Sequence, residues 1–334
     1  MSSKVSPDLP KNLEAGTLID ERYEIVELLG SGGIAQVYRA IQLDLHREVA
    51  LKIVAPNNSR RLRRMNEERL INEALTTARV QHPNIINIRA LGRRLTMRTT
   101  AGPPTTIKRP YMVMDCLQGH TLAEHLFHFG PMTPSRALPL FLNILDALAV
   151  CHDQDIVHKD IKPDNIFVSN PDQPSEALVL LDFGIARGAE TFTTDGAMPC
   201  TANYVAPEYL EEHIVTPAID VYQSALVLIE ALTGRPVVDH ESVMERIGAH
   251  VSGQLNVCEE ITLSALWPVL SVALQRDFRR RFQSARAFYQ ALRSIDPQGV
   301  DLDTAEDVLF GAEPDSMKTT QTVPDIRLAR DGEP

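Results

Sequence analysis

An acid, a base and an amide fall within six residues at Asp160, Lys162 and Asn165, in the run Ile156-Val157-His158-Lys159-Asp160-Ile161-Lys162-Pro163-Asp164-Asn165-Ile166-Phe167-Val168. A carboxylate can accept a proton, an ammonium can offset anionic charge, and an amide oxygen is a hard ligand for a cation. Pro and Asn also favour plain surface turns, so the run draws its weight from its neighbours. Seventeen residues after Asn165 comes a second acid, Asp182, in Leu180-Leu181-Asp182-Phe183-Gly184. Far upstream lies Leu29-Gly30-Ser31-Gly32-Gly33-Ile34-Ala35-Gln36-Val37. Glycines let a backbone turn tightly and approach a phosphate without a Cβ clash. Fifteen residues beyond Val37, Lys52 ends the apolar run Val49-Ala50-Leu51-Lys52. Its ammonium can snorkel to water or face a phosphate.

These groups need elements to hold them. Residues 23–29, 37–42 and 49–54 are short β-branched and apolar runs with turn signals between them, and read as strands. Residues 59–80 are charged with recurring apolar positions, a helix pattern. Residues 85–91 and 110–114 read as two more strands. Between them, residues 93–109 carry five basic residues, five Thr and the Gly102-Pro103-Pro104 break, and read as a loop. After Gly119 helical patterns dominate, at residues 121–129, 134–154, 219–233, 265–275 and 284–295. A small β-rich lobe followed by a larger helical lobe is an α+β arrangement, with a crevice near residues 115–119.

Composition sets limits on the partners. The 334 residues carry a net charge of −11, from 33 Lys and Arg against 44 Asp and Glu. A general nucleic-acid binder should carry a basic face, so none is expected. Ten acids and three bases lie between Asp296 and Pro334, leaving the body close to balanced. Cys116, Cys151, Cys200 and Cys258 form no C-x-x-C pair, so neither a zinc site nor a disulfide framework is expected. The N-terminal segment shows no apolar signal region, and the apolar runs at residues 137–150 and 225–229 are too short to span a bilayer. A cytoplasmic protein without membrane insertion is expected. Residues 1–20 read as a flexible leader and residues 296–334 as an acidic disordered tail.

Taken together, the motifs resemble those of the bacterial Hanks-type Ser/Thr protein kinases. The resemblance spans about residues 21–295 and implies the bilobal protein-kinase fold, with an N-lobe at 21–115 and a C-lobe at 119–295 around an ATP cleft. His158-Lys159-Asp160 stands where the family has His-Arg-Asp, and Asp182-Phe183-Gly184 matches its magnesium motif. By resemblance, Asp160 accepts the proton of a substrate hydroxyl, Lys162 offsets charge on the transferred phosphate, and Asn165 and Asp182 hold Mg2+, with Mn2+ as a substitute. Lys162, two residues after the base, goes with Ser or Thr rather than Tyr substrates. Lys52 would hold phosphates and be fixed by Glu73, nine residues before His82-Pro83-Asn84-Ile85, with Glu67 and Glu68 as competitors. Adenine would sit among Leu29, Val37, Ala50, Met114 and Phe167, under a loop containing Gly30, Gly32 and Gly33. Met114 takes the gatekeeper position.

Further along, Cys200-Thr201-Ala202-Asn203-Tyr204-Val205-Ala206-Pro207-Glu208 resembles the family's substrate platform. Asp220 would anchor the catalytic loop and Arg281 would pair with Glu208. Thr191, Thr193 and Thr194 are candidate autophosphorylation sites. Three positions depart from the family pattern: Ala35 replaces a glycine, Thr77 replaces an apolar residue, and Lys159 replaces the arginine that grips an activation-loop phosphate with two hydrogen bonds. They support an alternative reading, a pseudokinase-like ATP-binding signalling scaffold. A small-molecule kinase of related fold is a further reading, against which the platform residues argue. Three weaker signals remain. His120, His125 and His128 read as a solvated helix face rather than a metal site. Arg60, Arg61, Arg63 and Arg64 form a solvated basic run or a docking or homodimer surface. Thr322-Val323-Pro324-Asp325 resembles the motif preferred by forkhead-associated phosphothreonine readers. The basic stretch 93–109 would recruit an acidic partner.

Overall fold

Residues 35–42 alternate in burial along much of their length, as a half-buried strand does, while residues 49–54 are buried without a break, as in a strand covered on both faces. In the computed structural model, which describes residues 12–57, 59–99, 104–183 and 200–302, they form the centre of the first lobe. The chain runs β1 (Leu18–Ile19), β2 (Tyr23–Ser31), β3 (Ala35–Gln42), β4 (Arg47–Val54), α1 (Arg60–Thr77), β5 (Ile88–Gly92), β6 (Leu95–Arg98), β7 (Thr105–Ile107) and β8 (Tyr111–Asp115). All eight strands join one antiparallel sheet, in the order β5-β8-β4-β3-β2-β1-β6-β7.

Register gives this sheet two working faces. Val37 lies opposite Lys52, and Ala50 opposite Met114. Side chains two apart share a face, so Val37, Ala50, Lys52, Met112 and Met114 all look one way. Their apolar members pack with Leu70 and Ala74 of α1 and with Phe167. The opposite face carries Tyr38, Ala40, Val49, Leu51, Ile53, Tyr111 and Val113.

That second face is not left to water, and two expectations are corrected by what covers it. The stretch 93–109 is no loop: β6 and β7 pair as a hairpin with Leu95 opposite Ile107, both buried. Nor is the whole of 1–20 a loose leader. Leu18–Ile19 forms β1, which bridges β2 to β6, and Leu13 is buried with its N–H donating to the Tyr38 hydroxyl at 3.1 Å. Asp20 closes the junction, accepting from Thr96 N at 2.6 Å and from the Tyr111 hydroxyl at 2.5 Å. Arg109 is buried and donates to the Ala55 carbonyl just past β4, at 3.3 Å. Only part of the basic stretch is therefore displayed to a partner. Apolar surface on both sides of the sheet demands cover, and this short Thr- and Arg-rich segment supplies it.

The second lobe follows as β9 (Gly119–Thr121), α2 (Leu122–Phe129), α3 (Pro134–His152), β10 (Ile166–Ser169), β11 (Ala177–Leu180), α4 (Pro207–Glu212), α5 (Ala218–Thr233), α6 (Val243–Ser252), α7 (Glu259–Leu263), α8 (Trp267–Ala273) and α9 (Ala285–Arg293). Helices α3 and α5 form its centre, with nearly every residue of α5 buried. At 19 residues, α3 is apolar and long enough to cross a bilayer by composition, but 61% of that stretch is buried within the lobe. Residues 296–302 belong to the lobe as well. Pro297–Gly299 makes a 3-10 turn, and Val300 and Leu302 pack into the core. The expected tail is corrected to that extent; residues 303–334 lie outside those described, as do residues 1–11.

The histidines of α2 are also corrected. His125 is 3% exposed, stacks on His120 and lies against Phe129. The facing nitrogens of His120 and His125 are 3.0 Å apart, and no metal-binding cluster occurs among the described residues. Burial, then the charges of Arg136 and His120, push His125 down to about 4; burial does the same to His250 on α6. Both pKa values lie below the unfolded value, so the stability these groups contribute is present above about pH 6.5 and is lost as pH falls towards 4. His125→Phe should lose less stability than the parent between pH 6.5 and 4 in a denaturant series. Equal losses would show that His125 does not titrate this way in the fold.

Candidate active site

Lys52 leaves the middle of β4 on the cleft face and meets two carboxylates. Its Nζ lies 2.8 Å from Glu73 Oε1 and 2.6 Å from Asp182 Oδ2. Glu73 is placed by α1, whose stripe Leu70, Ala74 and Thr77 is buried, Leu70 and Ala74 in one cluster with Met112 and Met114 of the sheet. Thr77 occupies the inward position despite its hydroxyl. Of the competing acids, Glu67 turns back to Arg63 at 4.0 Å and Glu68 is exposed. Burial opposes the charge on Lys52, but the two acids outweigh it and hold the ammonium firmly protonated. Burial first, and then the charge of Asp182, push Glu73 above the ordinary carboxylate value. Asp182 is opposed by burial but held below the ordinary carboxylate value by Lys52.

The catalytic-type loop lies across the cleft. Asn165 ends a 3-10 turn at Pro163–Asn165, and its Nδ2 donates to Asp160 O at 2.8 Å and to Asp160 Oδ2 at 2.7 Å. Lys162 Nζ is 3.5 Å from the same Asp160 oxygen. The Asn165 carbonyl accepts from Leu181 N at 2.9 Å, tying this loop to the residue before Asp182. Phe183 is buried and packs on the His158 ring, centroids 4.6 Å apart.

Backbone anchors fix the loop. Asp220, at the start of α5 and fully buried, accepts from His158 N and Lys159 N, both at 2.8 Å. Lys159 takes a left-handed φ of +66°, a conformation that costs a non-glycine residue roughly 1 kcal/mol and so needs fixing from outside. His152 completes the set. Its Nδ1 accepts from Ala285 N at 3.2 Å, so its Nε2 carries the proton and donates to Asp220 Oδ2 at 2.9 Å. Burial alone would raise the Asp220 carboxyl; the His152 contact and neighbouring donors bring it below the ordinary value. Nothing in the sequence reading singled out His152, or Gln223, which also reaches this loop; both are polar residues inside apolar helices, and that is the signal that could have found them.

Of the five residues expected around adenine, Val37, Ala50, Met114 and Phe167 come together in one cluster with Leu117. Leu29 does not join it and is 51% exposed at the rim. Gly119 fixes the cleft's back edge. Its φ is +137°, and a Cβ there would meet the Val168 carbonyl oxygen at 2.0 Å, so no other residue fits beside β10. On the platform, Arg281 grips Glu208 at 2.8 and 2.9 Å. Cys200–Asn203 forms a 3-10 turn. Thr191, Thr193 and Thr194 lie outside the described residues, as do the side chains of Cys200 and Thr201.

The set fits a nucleotide triphosphate with a divalent cation. Gly30, Gly32 and Gly33 have ordinary backbone angles, and within 4 Å of an added Cβ there is nothing at Gly30 or Gly33 and only the Ala35 carbonyl at Gly32. Among the described residues, nothing but that carbonyl packs where these side chains would stand, so the loop's backbone is open to a phosphate. Asp182 offers carboxylate oxygens, and Asn165, whose nitrogen is committed to Asp160, offers its amide oxygen: hard ligands suited to Mg2+.

Comparison with known proteins agrees. Residues 23–298 match the model of the protein kinase domain, and the chain belongs to that family. It is 35% identical over 243 residues to the serine/threonine-protein kinase PknB of Mycobacterium tuberculosis, covering 70% of this chain and 36% of that one. Against the serine/threonine-protein kinase PrkC of Bacillus subtilis it is 33% identical over 244 residues, 72% of this chain and 34% of that one. The chain thus spans about a third of the length of these curated relatives. Two solved structures share the fold. The M. tuberculosis PknI kinase domain has a TM-score of 0.59 at 23% identity, over 84% of this chain and 99% of that one. Rad53 residues 1–466 in complex with AMP-PNP has a TM-score of 0.63 at 21% identity, over 81% and 65%.

Proposed function

We propose that the chain is a protein serine/threonine kinase that transfers the γ-phosphate of ATP to Ser or Thr hydroxyls of protein substrates. The observation that carries this is the complete set of catalytic-type groups in mutual contact: Lys52 with Glu73 and Asp182, and Asp160 with Asn165 and Lys162. Asn165 and Asp182 would hold Mg2+, or Mn2+ in its place. A divalent ion held there would supply positive charge to offset that of the phosphates. Lys52 would exchange a carboxylate partner for phosphate, Glu73 keeping it aimed. Asp160, oriented by the Asn165 amide, takes the proton of the acceptor hydroxyl, and Lys162 offsets negative charge beside it. Ala50, Val37, Met114 and Phe167 exclude water around adenine.

Labelled ATP with magnesium tests this. Wild type should place label on Ser and Thr of itself or of casein, and Lys52→Met should not. Label on Tyr alone would overturn the acceptor class. Magnesium-dependent ATP binding without any transfer would establish the scaffold reading instead. Lys159 carries a further expectation. A lysine is a point charge and grips a phosphate less well than an arginine fork. Replacing Thr191, Thr193 and Thr194 together by Ala should therefore lower turnover by no more than about threefold. A loss beyond tenfold would show that loop phosphorylation controls this chain after all.

The described cysteines Cys116, Cys151 and Cys258 are free thiols, which supports a reducing, cytoplasmic setting. Thr322-Val323-Pro324-Asp325, outside the described residues, would recruit a phosphothreonine reader once modified. Arg60, Arg61 and Arg64, exposed on α1, would serve a homodimer or docking contact.

A further inference from the structure

Helix α5 carries a second loop anchor one turn beyond Asp220. Gln223 is three residues on, which on a helix is the same face, and it is 2% exposed. Its Oε1 accepts from Ile161 N at 3.1 Å. Its Nε2 donates to Lys159 O at 3.3 Å and to Tyr204 O at 3.1 Å. A primary amide has two N–H groups and one carbonyl, and here each finds a backbone partner. Leaving such a group buried without partners is costly, so the three contacts fix the positions of all the backbone they reach.

The partners lie on two separate segments. Lys159 and Ile161 flank Asp160 in the catalytic loop, while Tyr204 follows the turn Cys200–Asn203 on the platform. Asp220 binds the loop. His250, fully buried, has its Nε2 3.1 Å from Ala202 O and its Nδ1 2.7 Å from the Tyr222 hydroxyl, and so binds the platform. The Tyr204 hydroxyl donates to Glu230 Oε2 at 2.6 Å, again on the platform side. Gln223 joins the two through a single rigid amide plane.

We propose that Gln223 is a positioning residue that locks the catalytic loop to the protein-substrate platform, keeping Asp160 in register with an acceptor hydroxyl. The proposal rests on the protein-kinase reading above and names how that site is aligned. Such a lock is neutral and always present. It needs no phosphate, which matters in a chain whose Lys159 is a poor phosphate grip. It also separates two reactions. Phosphate transfer to a protein needs loop and platform in register; transfer to water needs the loop alone.

Gln223→Met keeps the volume and shape of the side chain and removes every hydrogen bond. Gln223→Glu keeps an acceptor for Ile161 N and removes both donors. In each, casein phosphorylation should fall about tenfold in kcat/KM and several-fold further than intrinsic ATP hydrolysis, which needs the loop but not the platform, while the KM for ATP stays within about twofold. His250→Asn, which loosens the platform only, should raise the KM for casein with little change in kcat. Casein and water reactions falling in parallel, or neither falling, would overturn the lock, as would a Gln223→Glu variant with wild-type casein kinetics. If the wild type transfers no phosphate to casein or to itself, it is the kinase reading that fails. The lock is then judged by hydrogen exchange on the full chain: the Ile161 amide and the segment around Tyr204 should exchange at least roughly tenfold faster in Gln223→Met than in wild type. Unchanged exchange at both would overturn it.

Discussion

Asp160→Asn is expected to lower kcat for phosphate transfer by roughly a thousandfold, the range over which a positioned general base contributes. The variant keeps the shape of the side chain, and its amide oxygen can still accept from the Asn165 Nδ2 that now lies 2.7 Å from Asp160 Oδ2. The backbone contact from Asn165 to Asp160 O, at 2.8 Å, is untouched. The Lys162 ammonium, 3.5 Å away, loses a charged neighbour and keeps a polar one. The fold and the apolar cluster of Val37, Ala50, Met114 and Phe167 should therefore survive, with ATP affinity expected within about threefold of the parent. What disappears is the ability to receive a proton. Turnover within about tenfold of wild type would mean that the acceptor loses its proton by another route, and Asp160 would be left with orienting the loop.

How far this site could be read without coordinates depended on whether its parts were contiguous. Asp160, Lys162 and Asn165 fall in one short turn, so their types and spacing carried the information directly. Glu73 was singled out from three acids by its spacing to His82-Pro83, and helix α1 then buries the stripe beside it, leaving Glu67 to Arg63. The two-lobed α+β arrangement followed from strand-like runs giving way to helical ones at Gly119. The failures have a common cause. The cover over the outer face of the sheet is built from two-to-four-residue strands, β1, β6 and β7, too short to display a period of their own. Their stability comes from Leu95, Ile107 and Leu13 finding Tyr38, Leu51 and Val113, contacts distant in sequence. His125 looked solvated because its neighbours Glu124 and His128 are; its burial comes from His120 and Phe129. Gln223 was passed over: its three partners are backbone groups, which carry no sequence signal, and only its place inside an apolar helix marked it.

Arg281→Met should cost about 3–5 kcal/mol of stability, the usual penalty for leaving half of a buried ion pair. The side chains of Arg281 and Glu208 are 0% and 3% exposed. All five guanidinium N–H groups are used. Two meet Glu208 at 2.8 and 2.9 Å; the others meet the carbonyls of Gln275 at 2.6 Å, Ala218 at 3.1 Å and Arg276 at 3.1 Å. The cation also lies over the Tyr222 ring, 4.3 Å from its centroid. Methionine fills much of the volume and supplies none of the donors. A carboxylate and three carbonyls are left dry, so the melting temperature should fall by roughly 10 °C. Arg281→Lys should recover little, since an ammonium has three donors and no planar fork. The informative variant is Arg281→Met with Glu208→Gln. Removing the orphaned charge should return roughly half of the loss, even though one more native contact is gone. If the double variant is instead less stable than Arg281→Met alone, Glu208 holds the start of α4 by means other than this pair. The link to function is spatial. Glu208 follows Ala206-Pro207, and the same Tyr222 that packs under Arg281 bonds His250, which holds Ala202. An ion pair of this kind earns its place less by net stabilisation than by fixing one geometry, here that of the surface on which a protein substrate would lie.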